Sequence, residues 1–297
     1  MRVLHIDTGR EMRGGQWQVL RLLEGLAAAG WMPVLAAPSK SELVRRAAGA
    51  GIRCEEPRMT SLADLARESD LVHVHSGRSH AIAAVLGLKP LVVARRVAFP
   101  VKRSFLSRWK YGRADKYIAI SKCVQDTLLD AGVPPEKITV VYDGVPLNEQ
   151  QAEGGLIVAP GSWDPMKGRV VVARAAELSG IPIHFSDSLD DDLRRARVFV
   201  YITKQEGLGS AVLLAMASGV PVVASRVGGL CEVIEDGETG LFAGNSPEEI
   251  AAAVRRLLDD ADLRRRLAVR ARERVKERFS VERMVRETVR VYEEVLK

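Results

Sequence analysis

The chain has 297 residues, 47% hydrophobic and 28% charged, a balance that supports two ordinary cores and excludes disordered, collagen-like or miniature disulfide-stapled classes. Aromatics at 5% argue against a base-stacking nucleic-acid surface, and Cys54, Cys123 and Cys231 are too far apart for a disulfide framework or zinc ligand set. The net charge of +6 is local, because residues 94–116 hold eight Lys and Arg against Asp115 alone and the remainder sums to −1.

The opening residues, MRVLHID, enter a strand-like run with no charged-then-apolar leader. No apolar run reaches the roughly 18 residues that a membrane span requires. The expectation is a soluble cytoplasmic protein, associated at most with the inner face of the cytoplasmic membrane.

Strands are predicted at 2–7, 32–37, 71–75, 91–95, 117–120 and 138–142. Helices are predicted between them, over 16–29, 41–49, 62–68, 78–87, 102–113 and 122–131. Several strands are near-continuous apolar runs, as buried parallel strands are, and the alternation of the two element types predicts doubly wound α/β sheets. The polar, Gly-rich segment 143–155 reads as a linker. The pattern then restarts, with strands at 156–159, 181–185, 198–202 and 221–225 and helices over 168–179, 189–196 and 210–218. A helical stretch from Pro247 to Lys297 is interrupted near Asp259–Asp260 and Phe279–Ser280. Two α/β domains, 1–147 and 153–280, and a terminal helix, 281–297, are expected.

The helix over 102–113 interleaves Phe105, Leu106, Trp109 and Tyr111 with cations. Two readings stay open: a basic membrane-surface element, or a solvated helix whose apolar residues pack on the core.

Three turns could carry chemistry. Gly14-Gly15 follows the first strand and opens a helix, where backbone can approach an anion, although GxGxxG is absent. Residues 161–168, GSWDPMKG, put Lys167 at the carboxyl end of a strand, without P-loop spacing. Glu206-Gly-Leu-Gly-Ser210 joins the strand VFVYIT to an apolar helix, so free amides and a helix dipole sit beside a carboxylate. Asp7-Thr8-Gly9 spells an aspartic-protease triplet in the wrong fold class. Asp190-Asp191-Asp192 reads as first-turn helix acids. The five histidines form no HExxH, and of His73 and His75 at most one is expected at a cleft.

In this order the motifs resemble glycosyltransferase family 4 along nearly the whole chain. The matching segments are MRVLHID with GGQWQVLRLLEGLAAAGW, DLVHVHS, KYIAISKCVQDTLLDAGVPPEKITVVYDGV, APGSWDPMKG, EGLGSAVLLAMASGVPVVAS, RVGGLCEVIEDGETGLFAG and FSVERMVRETVRVYEEVL. The resemblance implies a GT-B fold: two Rossmann-like domains facing a cleft, acceptor side first and nucleotide-sugar side second, with the last helix crossing back to the first domain. It implies a retaining, metal-independent hexosyltransferase with no cofactor, whose donor is a nucleotide-diphosphate sugar. The acceptor would be a lipid-linked or cell-envelope glycan, with no nucleic acid partner. The basic helix would dock on an anionic membrane surface through residues 101–113.

By the same resemblance, Gly14 and Gly15 lie near the donor phosphates, Lys167 binds the diphosphate, and Glu206 faces the donor sugar. The amides of Gly207, Leu208, Gly209 and Ser210 support sugar and phosphate. Our own reading adds Arg96 as a catalytic cation and Arg95 and His75 as acceptor or cleft residues. Departures cluster on donor binding. Leu214 stands where the family carries a second Glu, Ser162 replaces an arginine, Arg96 a histidine and Arg197 an aspartate, and the second domain is shorter by about two βα units. They leave open a second class, a catalytically impaired sugar-nucleotide-binding or partner protein.

Overall fold

The computed structural model describes residues 1–102, 104–147 and 154–297. Part of the expected linker, 148–153, and Arg103 of the basic segment lie outside these residues. The chain divides into two compact units, Met1–Gly144 with Val281–Lys297, and Val145–Ser280.

Unit 1 runs β1 (Arg2–Ile6), α1 (Gly14–Ala28), β2 (Met32–Ala36), α2 (Glu42–Gly49), β3 (Arg53–Glu55), α3 (Met59–Arg67), β4 (Leu71–Val74), α4 (Gly77–Leu86), β5 (Leu91–Arg95), α5 (Phe105–Gly112), β6 (Lys116–Ala119), α6 (Lys122–Leu129) and β7 (Ile138–Val140). Its strands form one parallel sheet in the order β3-β2-β1-β4-β5-β6-β7. The order reverses between β1 and β4, so the loops after those strands flank the crevice where doubly wound sheets bind ligands.

Unit 2 runs β8 (Leu156–Pro160), α7 (Arg169–Ser179), β9 (His184–Ser186), α8 (Leu189–Leu193), β10 (Ala196–Tyr201), α9 (Ser210–Ala217), β11 (Val222–Ser225), α10 (Leu230–Val233), β12 (Leu241–Ala243), α11 (Pro247–Asp259) and α12 (Ala261–Arg278). Its sheet is also parallel, ordered β12-β11-β10-β8-β9, with the reversal between β8 and β10. Val145 and Ser280, the first and last residues of the unit, pair as a parallel bridge, and Val145 N donates to Phe279 O at 2.9 Å.

Local chemistry starts many of these helices. Ser41, Ser76, Ser104, Ser121 and Ser246 each precede a helix, and each hydroxyl accepts the amide three residues on. The helix predicted over 189–196 stops at Leu193 because Ala196 already begins β10. The predicted strand 181–185 begins later, at His184. Two strands were not foreseen, β3 and β12, both three-residue edge strands.

The final helix, α13 (Val281–Leu296), belongs to unit 1 and packs on α1. Met284, Val285, Val291 and Tyr292 complete a core with Val3, Leu22, Leu26, Leu71, Val92, Ile118 and Val141. The approach is close enough that a Cβ at Gly25 would collide with Val285. Helix α5 differs from its prediction in starting at Phe105, and none of its residues is buried. Phe105 is 76% and Leu106 73% exposed, so these two do not pack on the core. No helix among the described residues is long and apolar enough to cross a membrane.

Candidate active site

In unit 2, the loops after β8 and β10 bring together two residues 39 positions apart. Lys167 Nζ donates to Glu206 Oε2 at 2.7 Å and to the Tyr201 hydroxyl at 2.7 Å. The Tyr201 hydroxyl donates to the same Glu206 oxygen, closing a triangle at the point of strand reversal. Glu206 Oε1 accepts from the Gly207 amide at 3.0 Å. The Lys167 and Glu206 side chains keep 29% and 16% of their surface exposed, whereas Tyr201 is buried. Burial, and then the Glu206 carboxylate, push the Tyr201 phenol well above its ordinary pKa, so it stays protonated.

Glycines let the loops close on these groups. Gly168 has φ +62°, and a Cβ there would lie 2.6 Å from Ile202 O. Gly209, at φ +100°, caps α9, and a Cβ there would lie 2.5 Å from Leu230 Cδ2. Leu208 is 1% exposed, and the half-buried Ser210 opens α9. Ser162 accepts the Asp164 amide at 3.2 Å. A cavity of about 520 Å³ on the α7 side of this loop is lined by residues that include Trp163, Arg169 and Lys204, but not by Lys167 or Glu206. Arg169 stacks between Trp163 and Phe185, 4.0 and 4.3 Å from the ring centroids, and donates to Gly161 O.

In unit 1, Gly14 and Gly15 open α1, and a Cβ on Gly15 would meet the Arg96 side chain at 3.7 Å. Arg96 is ion-paired with Asp143, both largely buried. Burial raises the Asp143 pKa, with the Arg96 guanidinium opposing it. Arg95 donates to the Tyr111 hydroxyl at 2.8 Å and to Phe99 O, so it braces α5 and the loop before it. Asp7 accepts from the Gly9 amide at 2.6 Å and from Gln16 Nε2 at 3.2 Å, which makes the Asp-Thr-Gly triplet a turn.

His75, expected at a cleft, is instead 6% exposed. Its Nε2 lies 2.9 Å from His5 Nδ1, and His73 Nδ1 lies 2.6 Å from the Tyr292 hydroxyl of α13. The donor atoms of His5, His73 and His75 fall within 4.8 Å of one another. A divalent ion among them would sit beside the Arg96 guanidinium, which already disfavours charge on His73 and His75. Neutral imidazoles, His5 bonded to His75 and His73 to Tyr292, suit the site better.

Sequence reasoning missed Tyr201 and the histidine cluster. A Tyr ending the buried strand VFVY was the available signal, because a buried phenol seeks a partner. Asp190 to Asp192 fall in the first turn of α8, with Asp191 and Asp192 in local bonds to Ser188, Arg194, His184 and Arg195.

Two parallel doubly wound units in one chain, one with a lysine–carboxylate pair at its strand reversal, define a GT-B type of protein. A family described as Glycosyltransferase Family 4 matches residues 12–149, and one described as Glycosyl transferases group 1 matches 181–274. The chain belongs to this family of glycosyltransferases. It is 28% identical over 229 residues to an uncharacterized glycosyltransferase of Methanocaldococcus jannaschii, covering 66% of this chain and 64% of that one. It is 34% identical over 217 residues to the MMP alpha-(1->4)-mannosyltransferase of Mycolicibacterium hassiacum, covering 59% and 53%. The chain thus spans less than two thirds of either relative's length. Anabaena HepE, solved with UDP and glucose, shares the fold with a TM-score of 0.87 at 16% identity over 99% of both chains.

Proposed function

We propose that this protein transfers a sugar, with retention, from a nucleoside-diphosphate sugar to an acceptor. The observation that carries this reading is the Lys167–Glu206 pair at the strand reversal of unit 2, beside the start of α9. The difficult step is departure of the nucleoside diphosphate, on which negative charge grows. Fixed cations and amides aimed at that charge supply most of the rate in such a step. Lys167, the amides of residues 208–210 and the α9 dipole are of the right kind, and Glu206 offers a carboxylate oxygen to sugar hydroxyls. In unit 1 we assign Gly14 and Gly15, at the start of α1, to the donor phosphates as well; the Arg96 side chain near Gly15 is held by Asp143. Among the described residues we see no side chain placed as a covalent nucleophile, and we favour front-face substitution.

A nucleotide panel tests this. HepE was solved with UDP and glucose, so UDP leads, followed by GDP, ADP and CMP with their sugars. A ligand that binds only the native state stabilises it by about 2.7 kcal/mol at a hundredfold over Kd. One nucleoside diphosphate should raise the melting temperature well above the others. A flat panel at millimolar ligand would favour the second reading, a non-catalytic binding or partner protein, whose motivation is Leu214 and Ser162 in place of expected donor-binding groups.

The acceptor we propose is lipid-linked or part of the cell envelope, reached at the inner face of the cytoplasmic membrane. Helix α5 supports it: Phe105, Leu106 and Trp109 are solvent-exposed, with Lys102, Arg108, Lys110 and Arg113 close in sequence. Apolar anchors with cations around them suit an anionic bilayer surface. In flotation assays the protein should rise with vesicles containing phosphatidylglycerol and stay down with neutral ones, and Phe105→Ser with Leu106→Ser should lose the association. Equal flotation of variant and parent would remove this part of the reading.

A further inference from the structure

Tyr201 has a geometry that the donor reading leaves unused. It ends β10, is 6% exposed, and its hydroxyl is shared between the two groups that the reading assigns to the donor. A buried phenol of this kind is out of reach of a large substrate, so it acts through its neighbours.

The hydrogen-bond inventory shows how. An ammonium carries three donors. Two of those on Lys167 are spent at 2.7 Å, one on Glu206 Oε2 and one on the Tyr201 oxygen. Two fixed donors set the direction of the third, whereas a single bond to Glu206 would let the ammonium swing about it. The phenol also takes up part of the acceptor capacity of Glu206 Oε2, the oxygen that holds Lys167. An anion competing for the ammonium therefore meets a carboxylate already partly satisfied. Because burial keeps the phenol neutral, the triangle's net charge does not grow when the lysine turns to a phosphate.

We propose that Tyr201 is a positioning residue that aims Lys167 at the terminal phosphate of a nucleoside diphosphate. This inference rests on the donor reading above. It adds the group that makes the site prefer a diphosphate over a monophosphate, without itself touching the ligand.

The test is calorimetry with UDP and UMP, or with GDP and GMP if the panel selects guanosine, on the full chain. Tyr201→Phe keeps the ring and removes only the hydroxyl. It should weaken diphosphate binding about tenfold, leave monophosphate binding within about twofold, and hold the unliganded melting temperature. The same substitution in a Lys167→Met background should add nothing, since the group being positioned is gone. Equal diphosphate affinity in parent and Tyr201→Phe would overturn the inference while leaving the donor reading intact. So would a parallel loss for both nucleotides, or an undiminished effect of Tyr201→Phe in the Lys167→Met background, because both describe a structural role. Absence of any nucleoside-diphosphate binding by the parent protein would instead overturn the donor reading, and this inference with it.

Discussion

Lys167→Ala is expected to lower kcat/KM for sugar transfer by about 10²–10³-fold, the loss typical of removing one fixed donor from a developing anion. The lysine is the cation of the strand-reversal site in unit 2, held by two short bonds and still partly open to solvent. Its removal leaves Glu206 with the Tyr201 hydroxyl and the Gly207 amide as partners, so the carboxylate is not stranded and the fold should survive. The measurement is nucleoside-diphosphate release coupled to a dehydrogenase, with the melting temperature as a fold control. Lys204→Ala, at an exposed lysine on the loop after β10, should retain full activity. Full activity in Lys167→Ala would remove the lysine from the mechanism.

The second large effect is acid instability of unit 1. His5, His73, His75 and His80 are all buried. Burial holds His5 and His80 down to about 3, and His73 and His75 well below the ordinary imidazole value. The charged groups facing the cluster add to this, Arg96 beside His73 and His75 and Lys110 with Arg95 beside His80; Tyr292 and Tyr117 stay neutral. A folded-state pKa below the unfolded value of about 6.5 means the native state resists protonation. The stability these groups contribute is therefore complete above pH 6.5 and lost as pH falls toward 3. Each imidazole kept neutral steepens the loss by about 1.4 kcal/mol per pH unit once the unfolded chain is protonated. Between pH 6 and 5 carboxylates contribute little, so the urea midpoint should fall steeply there, with the far-UV signal of unit 1 lost by about pH 4. A midpoint flat between pH 6.5 and 5 would show that the imidazoles are not buried neutral.

Legibility from sequence divides along the range of the interaction. Apolar runs such as LHI and VFV, and helix starts such as Ser76 and Ser121, depend on neighbours a few residues away and could be read directly. Strands β3 and β12 could not, because RCE holds no apolar run and LFA is too short a run to tell from a turn. Lys167 and Glu206 stood out individually through their turns. Their direct bond, and the phenol joining them, depend on β8 and β10 being adjacent across the reversal, which is a property of topology. The same holds for Arg96, whose partner Asp143 lies 47 residues away, and for His75, which only the pairing of β1 with β4 puts against His5. The exposure of α5 was undecidable because a basic helix with apolar residues looks alike whether those residues face a core or solvent.

The closing bridge between Val145 and Ser280 has a consequence for how the chain is made. Unit 2 is continuous, with its two ends side by side, so everything it needs leaves the ribosome by residue 280. Unit 1 is started first and finished last. Its α13 emerges only after all of unit 2, roughly ten seconds or more later at ordinary elongation rates. Until then the faces of Leu22, Leu26 and Leu71 that receive Met284, Val285 and Tyr292 have no cover. The later-synthesised half can reach its native state while the earlier half waits, and that waiting half is the part of the nascent chain a chaperone has most reason to hold.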